Sequence, residues 1–119
     1  MASIEQLMTA NLLDIFNERD ADRRRAAITR TWAPEGRFNS PDGSVSVGHD
    51  ALHAKVQEIL DTGEGLEFTA AGPTLVNQDL GYVAWNFGLP GEQPVLRGVD
   101  VAHVQDGRMV SLYTLLLAD

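Results

Sequence analysis

Cysteine is absent from the 119 residues. Disulfides, a thiol nucleophile and thiolate metal sites are thereby excluded. Basic residues are scarce: 9 Lys and Arg stand against 17 Asp and Glu, for a formal net charge of −8. The imbalance is uneven, with nine acids and seven bases in residues 1–60 but eight acids and only two bases, Arg97 and Arg108, in residues 61–119. An acidic second half repels phosphate, so no nucleic-acid partner is expected. No apolar run approaches membrane-spanning length, so none with a membrane is expected either. The opening MASIEQLMTANLLDIFNERD has no basic start and no unbroken apolar run. It does not fit a secretory signal, and the cytoplasm is the expected location. A Gly-rich phosphate loop, a serine-hydrolase elbow and kinase or dinucleotide signatures are missing too, and no cofactor is expected. What is present is an ordinary globular composition, 44% hydrophobic and 22% charged, in a length that suits one domain over residues 1–119.

The first half reads helical. Ile4, Leu7, Met8, Leu12, Ile15 and Phe16 form one helical stripe, with Ser3 as a plausible N-cap. After "NERDAD", Asp22 is expected to cap a second helix running to about Trp32, anchored by Ile28 and Trp32, with Pro34 just beyond. A third helix is expected from His49 to Thr62, striped by Leu52, Val56, Ile59 and Leu60 and stopped by Gly63. Between these helices "GRFNSPDGSVSVG" reads as strand, turn, strand. The second half reads as strands: "LEFTAAG", "TLVNQ", "YVAWNFGL", "VLRGVDVAHV" and "RMVSLYTLLL". Their short spacers predict antiparallel neighbours. The fold class is therefore α+β, with three N-terminal helices packed on a curved antiparallel sheet.

Alternation assigns the strand faces. Val110, Leu112, Thr114 and Leu116 share one face of the last strand; Ser111, Tyr113, Leu115 and Leu117 share the other. In the preceding strand Gly98, Asp100, Ala102 and Val104 point one way, and Val99, Val101 and His103 the other. A sheet apolar on both faces is covered on both. The helices supply one cover. A second copy of the chain, docked on Val99, Val101, His103, Tyr113, Leu115 and Leu117, is the expected other, giving a homodimer. The alternative is a monomer whose C-terminal segment is deeply buried.

Two stretches carry a family resemblance. "NERDADRRRAAITRTWAPEGRFNSPDGSVSVGHDAL" is similar to the helix-turn-helix, first strand, turn and pre-helix glycine of the nuclear-transport-factor-2-like superfamily. "VAWNFG" with "LRGVDVAHVQDGRMVSLYTLLL" resembles its closing strands, with their Gly-x-Asp and Asp-Gly-Arg marks. In style the chain is closest to the SnoaL-like branch, which includes polyketide cyclases. The resemblance covers essentially the whole chain and implies a cone with an internal pocket. It also implies that Asp100 points inward, where SnoaL-like cyclases use an aspartate as general acid/base and ketosteroid isomerases keep a protonated one to hydrogen-bond an oxyanion. The isomerase pattern departs elsewhere: its base falls at Ser40 and its helix-1 tyrosine at Leu12. Because this superfold hosts many chemistries, the resemblance speaks to a pocket before a reaction.

Asp100 is the catalytic candidate. On the functional reading it sits in an apolar cavity lined by Trp32, Phe38, Val83, Trp85, Phe87, Leu112, Thr114 and Leu116, where desolvation raises its pKa. On the structural reading it is a carboxylate satisfied by Arg, a tryptophan N–H or buried water. Ser40 either orients a ligand or starts the Pro-Asp-Gly turn. His49 and His53 have the i, i+4 spacing of zinc-protease ligands, but lack the glutamate and a third ligand, and a helix start accounts for them better. His103 lies on the face opposite Asp100. Arg23, Arg24 and Arg25 read as a solvated face paired with Asp20 and Asp22.

These readings support a small-molecule pocket protein for a hydrophobic ligand. The first hypothesis is a cofactor-free cyclase or isomerase in which Asp100 moves a proton beside a carbonyl while Trp85, Thr114 or Ser40 places the oxygen. The second is a non-catalytic binding or assembly module. A third, epoxide hydrolysis, resembles a branch with an Asp–Arg–Asp set, whereas this chain offers one inward Asp and an Arg97 expected to face outward.

Overall fold

The computed structural model describes residues 1–118. Helix α1 (Ile4–Ala10) starts from a reciprocal cap: the Ser3 hydroxyl accepts from the Gln6 N–H, and the Gln6 side chain accepts from the Ser3 N–H. It runs on into a widened π-type turn, Asn11–Ile15. Leu7, Met8, Leu12, Ile15 and Phe16 are all buried, so the stripe read from the sequence is the packed face. The wide turn also buries the Asn11 amide, whose Oδ1 accepts the Trp32 indole N–H at 2.9 Å.

Helix α2 (Ala21–Thr31) is capped by Asp20, not Asp22; the Asp20 carboxylate accepts from the Arg23 N–H. Three residues separate this pair, which is the reach a capping side chain has, and Asp22 falls in the first turn instead. Trp32 already opens strand β1 (Trp32–Asn39). Pro34 lies inside that strand, where the pairing is irregular between Trp32 and Arg37, so its missing N–H breaks no ladder. Strand β2 (Val45–Val47) and helix α3 (His49–Thr62) follow.

The remaining strands are β3 (Glu67–Ala70), β4 (Leu75–Asn77), β5 (Leu80–Gly88), β6 (Leu96–Gln105) and β7 (Arg108–Leu116). They form one sheet with β1 and β2 in the order β2-β1-β7-β6-β5-β3, β4 also pairing with β5. The sheet is mixed, because β1 and β7 run parallel. Short spacers constrain only strands adjacent in sequence, and this pair is joined the long way round, through α3 and five strands. Nor do β3 and β4 form a hairpin. They run in succession along one edge of β5, β4 against Leu80–Tyr82 and β3 against Trp85–Gly88. Between β6 and β7, Asp106 and Gly107 both take positive φ, as a tight two-residue hairpin requires.

One irregularity inverts a predicted face. His103 pairs with Ser111, but Val104 pairs with Met109, so β7 carries an extra residue there. Met109 is consequently fully buried, and Val110, expected inside, is only half-buried.

The segment linking α1 to α2 is riveted to the rest. Asn17 matches the edge of β3 like a neighbouring strand, its amide donating to the Phe68 carbonyl and accepting the Phe68 N–H. Arg19 donates to the carbonyls of Leu60, Gly63 and Leu66 at the end of α3. Arg24, expected on a solvated face, is fully buried between α2 and α3. Its Nε donates to His53 Nδ1, and its other nitrogens to the Gln57 side chain and the Glu18 carbonyl. All three acceptors are neutral, so this buried cation is held by hydrogen bonds and not by an ion pair.

The arrangement needs a neutral His53. Burial first, then the Arg24 and Arg25 charges, lower its pKa. A histidine lowered in the folded state supports stability above its unfolded value, near 6.5, and that support is lost as pH falls through the folded value. Between about pH 7 and pH 5 the wild type should therefore lose more unfolding free energy than His53→Gln. Urea titrations of both proteins at each pH test this; parallel losses would acquit His53.

Candidate active site

Under the helices, the inner face of the sheet bounds a cavity of about 340 Å³. Its walls come from Leu12 and Phe16 at the end of the first helix, Phe38 and Ser40 on and after β1, Pro41 and Asp42 in the turn, and Lys55, Glu58, Ile59 and Thr62 along α3. Phe68, Trp85, Phe87, Leu96, Asp100, Thr114 and Leu116 complete it. The rings hold one another. Phe16 packs edge-on against Phe38 and Phe68, Phe68 edge-on against Trp85, and Phe68 stacks on Phe87 at 4.2 Å.

Asp100 stands at the centre of the sheet, paired with Val83 on β5 and Thr114 on β7. It is 4% exposed. Its Oδ1 accepts from the Trp85 indole at 3.0 Å and from the Thr114 hydroxyl at 2.8 Å. Burial pushes the carboxyl up to about 6, against the smaller lowering effect of Thr114 and then Trp85. Both donors meet Oδ1, which leaves Oδ2 for whatever enters the cavity.

The Gly-x-Asp sequence has a physical reason. Gly98 is the cross-strand partner of Trp85, and a Cβ there would lie 2.3 Å from the indole. The missing side chain lets the ring lie across β6 and reach Asp100, two residues along on the same face.

Of the residues singled out in the sequence, the structure gathers Phe38, Ser40, Trp85, Phe87, Asp100, Thr114 and Leu116 around the cavity. Trp32, Val83 and Leu112 are not among its walls. Trp32 is buried with its N–H bound to Asn11, Val83 is buried in β5, and Leu112 is fully buried between β1 and β6. Trp85 and Thr114 do not place a substrate oxygen, because their donors are spent on Asp100. Sequence reasoning missed the α3 wall. Lys55, Glu58, Ile59 and Thr62 follow i, i+3, i+4, i+7, a second stripe beside the core stripe of Leu52, Val56 and Leu60. It missed Phe16 and Phe68 as walls as well.

The histidines have other partners. His49 Nε2 lies 3.0 and 3.1 Å from the Trp32 and Ala33 carbonyls, His53 serves Arg24, and His103 Nε2 meets Asp79 on the outer face. Among the described residues no group of three or more His, Cys, Asp or Glu is placed to hold a metal ion. Nor is any of their helices long and apolar enough to cross a membrane.

A family model, the SnoaL-like domain, matches residues 9–112. The chain belongs to this family. Solved structures with the same fold include a SnoaL-like family protein from Agrobacterium tumefaciens, provisionally named an isomerase (23% identity, 94% of this chain and 95% of that one, TM-score 0.86). A provisionally named SnoaL-like polyketide cyclase from a Jannaschia species is 18% identical over 98% and 89% of the two chains, with a TM-score of 0.73. An NTF2-like (nuclear-transport-factor-2-like) protein of unknown function from an Exiguobacterium species is 19% identical over 95% and 99%, with a TM-score of 0.73. At these identities the likeness is one of fold. No curated protein matches the chain.

Gly98→Ala tests the close approach. The Cβ should displace the Trp85 indole, destabilise the protein by about 1–3 kcal/mol and break the indole bond to Asp100. Chemical denaturation, together with the indole N–H chemical shift, measures both effects. An unmoved N–H resonance would show that the ring does not depend on the glycine.

Proposed function

We propose that the cavity is a ligand pocket and that the protein is a cofactor-free enzyme of the cyclase or isomerase type, acting on a hydrophobic carbonyl compound. The observation that carries this reading is a buried carboxyl raised to about 6, with one oxygen turned to an aromatic cavity. Near neutral pH such a group is mostly ionised yet readily protonated, which suits a base that must return its proton. Asp100 Oδ2 takes a proton from the carbon beside the carbonyl, and the C–H electron pair moves into the carbonyl to give an enolate. The enolate then takes the proton back at another carbon, or its carbon attacks a second carbonyl and Asp100 delivers the proton to the new alkoxide. No oxidant or further reactant is needed. The isomerase and cyclase names given to proteins of the same fold agree with this reading.

A non-catalytic binding module is the second reading. It is favoured by the way Trp85 and Thr114 are committed to Asp100. Exchange of the α-protons of 2-tetralone in D2O, followed by proton NMR, separates the two. On the enzyme reading the wild type accelerates exchange and Asp100→Asn lowers the rate about 100-fold or more. Equal rates in the two proteins, or none above buffer, would leave the binding module.

Asp100→Asn also has a stability signature. A carboxyl raised in the folded state favours folding below its unfolded value, near 3.9, and that support is lost as pH rises through about 6. The asparagine variant, which keeps an acceptor for both donors, should therefore be more stable than wild type at pH 7, by up to about 3 kcal/mol. The gain should vanish toward pH 4. Thermal or urea unfolding at the two pH values reads it, and a variant no more stable at neutral pH would mean that the carboxylate carries no desolvation cost.

For the outer face of the sheet we propose a second copy of the chain. Tyr113 and Leu115 are 54% and 56% exposed beside the exposed Tyr82 and the half-buried Val101, an apolar surface from which Val99, expected to share it, is withdrawn because it is already buried within the chain. A two-fold pair buries the same patch on both partners. Sedimentation velocity should find a dimer for wild type and a monomer for Leu115→Lys; a monomeric wild type would refute the assignment.

A further inference from the structure

This inference rests on the carbonyl chemistry just proposed and asks which group receives the oxygen. Proton removal beside a carbonyl drives negative charge onto that oxygen, and a donor in a water-poor site stabilises it strongly. The cavity's donors can be counted. The Trp85 and Thr114 donors are spent on Asp100, and the Thr62 hydroxyl donates to the Ile59 carbonyl. Two remain. The Ser40 hydroxyl takes no hydrogen bond among the described residues, and the Lys55 ammonium is only partly engaged. Of its three protons one goes to Asp42 Oδ2 at 2.6 Å, while Glu58 Oε2 makes a looser ion pair at 3.6 Å, longer than a direct hydrogen bond.

The three charged side chains at this mouth differ in exposure. The Lys55 side chain is 11% exposed, against 55% for Asp42 and 65% for Glu58. The two carboxylates are wetted and screened. The Lys55 side chain packs against the cavity wall, the only cation among the described residues that lines it. The cavity thus has two poles with aromatic rings between them: a carboxylate at the sheet and an ammonium at the mouth.

We propose that Lys55, with the Ser40 hydroxyl, is the oxygen-binding group of the site, and that its ligands are hydrophobic molecules bearing an oxygen that gains negative charge, such as enolisable ketones and phenols. Asp42 then acts as a positioning residue. It holds the ammonium across the mouth while the other protons point at the ligand.

The probe pair is 4-nitrophenol, whose acid and anion have distinct absorption, and nitrobenzene, which keeps the nitro group but lacks the ionisable hydroxyl. Both are titrated into Asp100→Asn, so that the base's own charge does not oppose the anion. The bound phenol should ionise about one pH unit lower than in water, a roughly tenfold preference for phenolate. Adding Lys55→Met should abolish that preference, and adding Lys55→Arg should keep it. Nitrobenzene affinity should stay within about twofold throughout, which shows that the cavity is intact. A phenolate preference that survives Lys55→Met, or that never appears while nitrobenzene binds, overturns the role of Lys55 and leaves Asp100 untouched. A protein that takes up neither probe overturns the pocket reading and this inference with it.

Discussion

The cost of keeping one carboxylate out of water organises this molecule. Asp100 sits on β6 between β5 and β7, and each neighbour supplies one donor to the same oxygen. Those two bonds offset part of the desolvation and lose to it, since the carboxyl still rises to about 6. The geometry that supplies them is narrow. Trp85 reaches Asp100 only because Gly98 yields its place, and Thr114 reaches it only in the present β6–β7 register. A slip of β6 by one residue would turn Asp100 and Gly98 to the other face, away from Trp85 and Thr114. The register of the sheet and the chemistry of the site are thus the same constraint.

The cavity is a part of the core that the side chains do not fill, and polar anchors keep its roof apart from its floor. Asn17 on β3, Arg19 on the end of α3 and Arg24 between α2 and α3 hold the helical layer by directional bonds. Apolar packing alone tends to close such space, because every void forfeits contacts. Phe16 and Phe68 stay at the wall because the segment just after Phe16 is tied to the backbone of Phe68 itself.

Much of this was legible in the sequence. Period gave the buried stripe of the first helix and grouped Asp100 with Gly98, Ala102 and Val104 on one face, and the family resemblance turned that face inward. What stayed hidden has a common cause: periodicity assigns faces and says nothing about partners. The parallel pairing of β1 with β7 lies in no local stretch. The extra residue in β7 inverted Val110 and Met109, because alternation assumes that no residue is inserted. Composition does not separate a wall aromatic from a core one; Trp32 goes to the core because Asn11 takes its N–H, and Phe16 goes to the wall. That Trp85 and Thr114 serve Asp100 and not a ligand follows from register, which only the three-dimensional structure supplies.

The position of β7 bears on how the fold is reached. It is the last strand in sequence, yet it lies inside the sheet, parallel to β1 and antiparallel to β6. Until it arrives, β1 with β2 and β6 with β5 are two separate ribbons with open edges, and Asp100 lacks Thr114. Closing the sheet brings β7 back to β1, with α3 and five strands between them in the chain. Assembly dominated by such distant pairings is slow, and open strand edges in the waiting state invite association. The strand that completes the site is also the one that ends the period of greatest exposure.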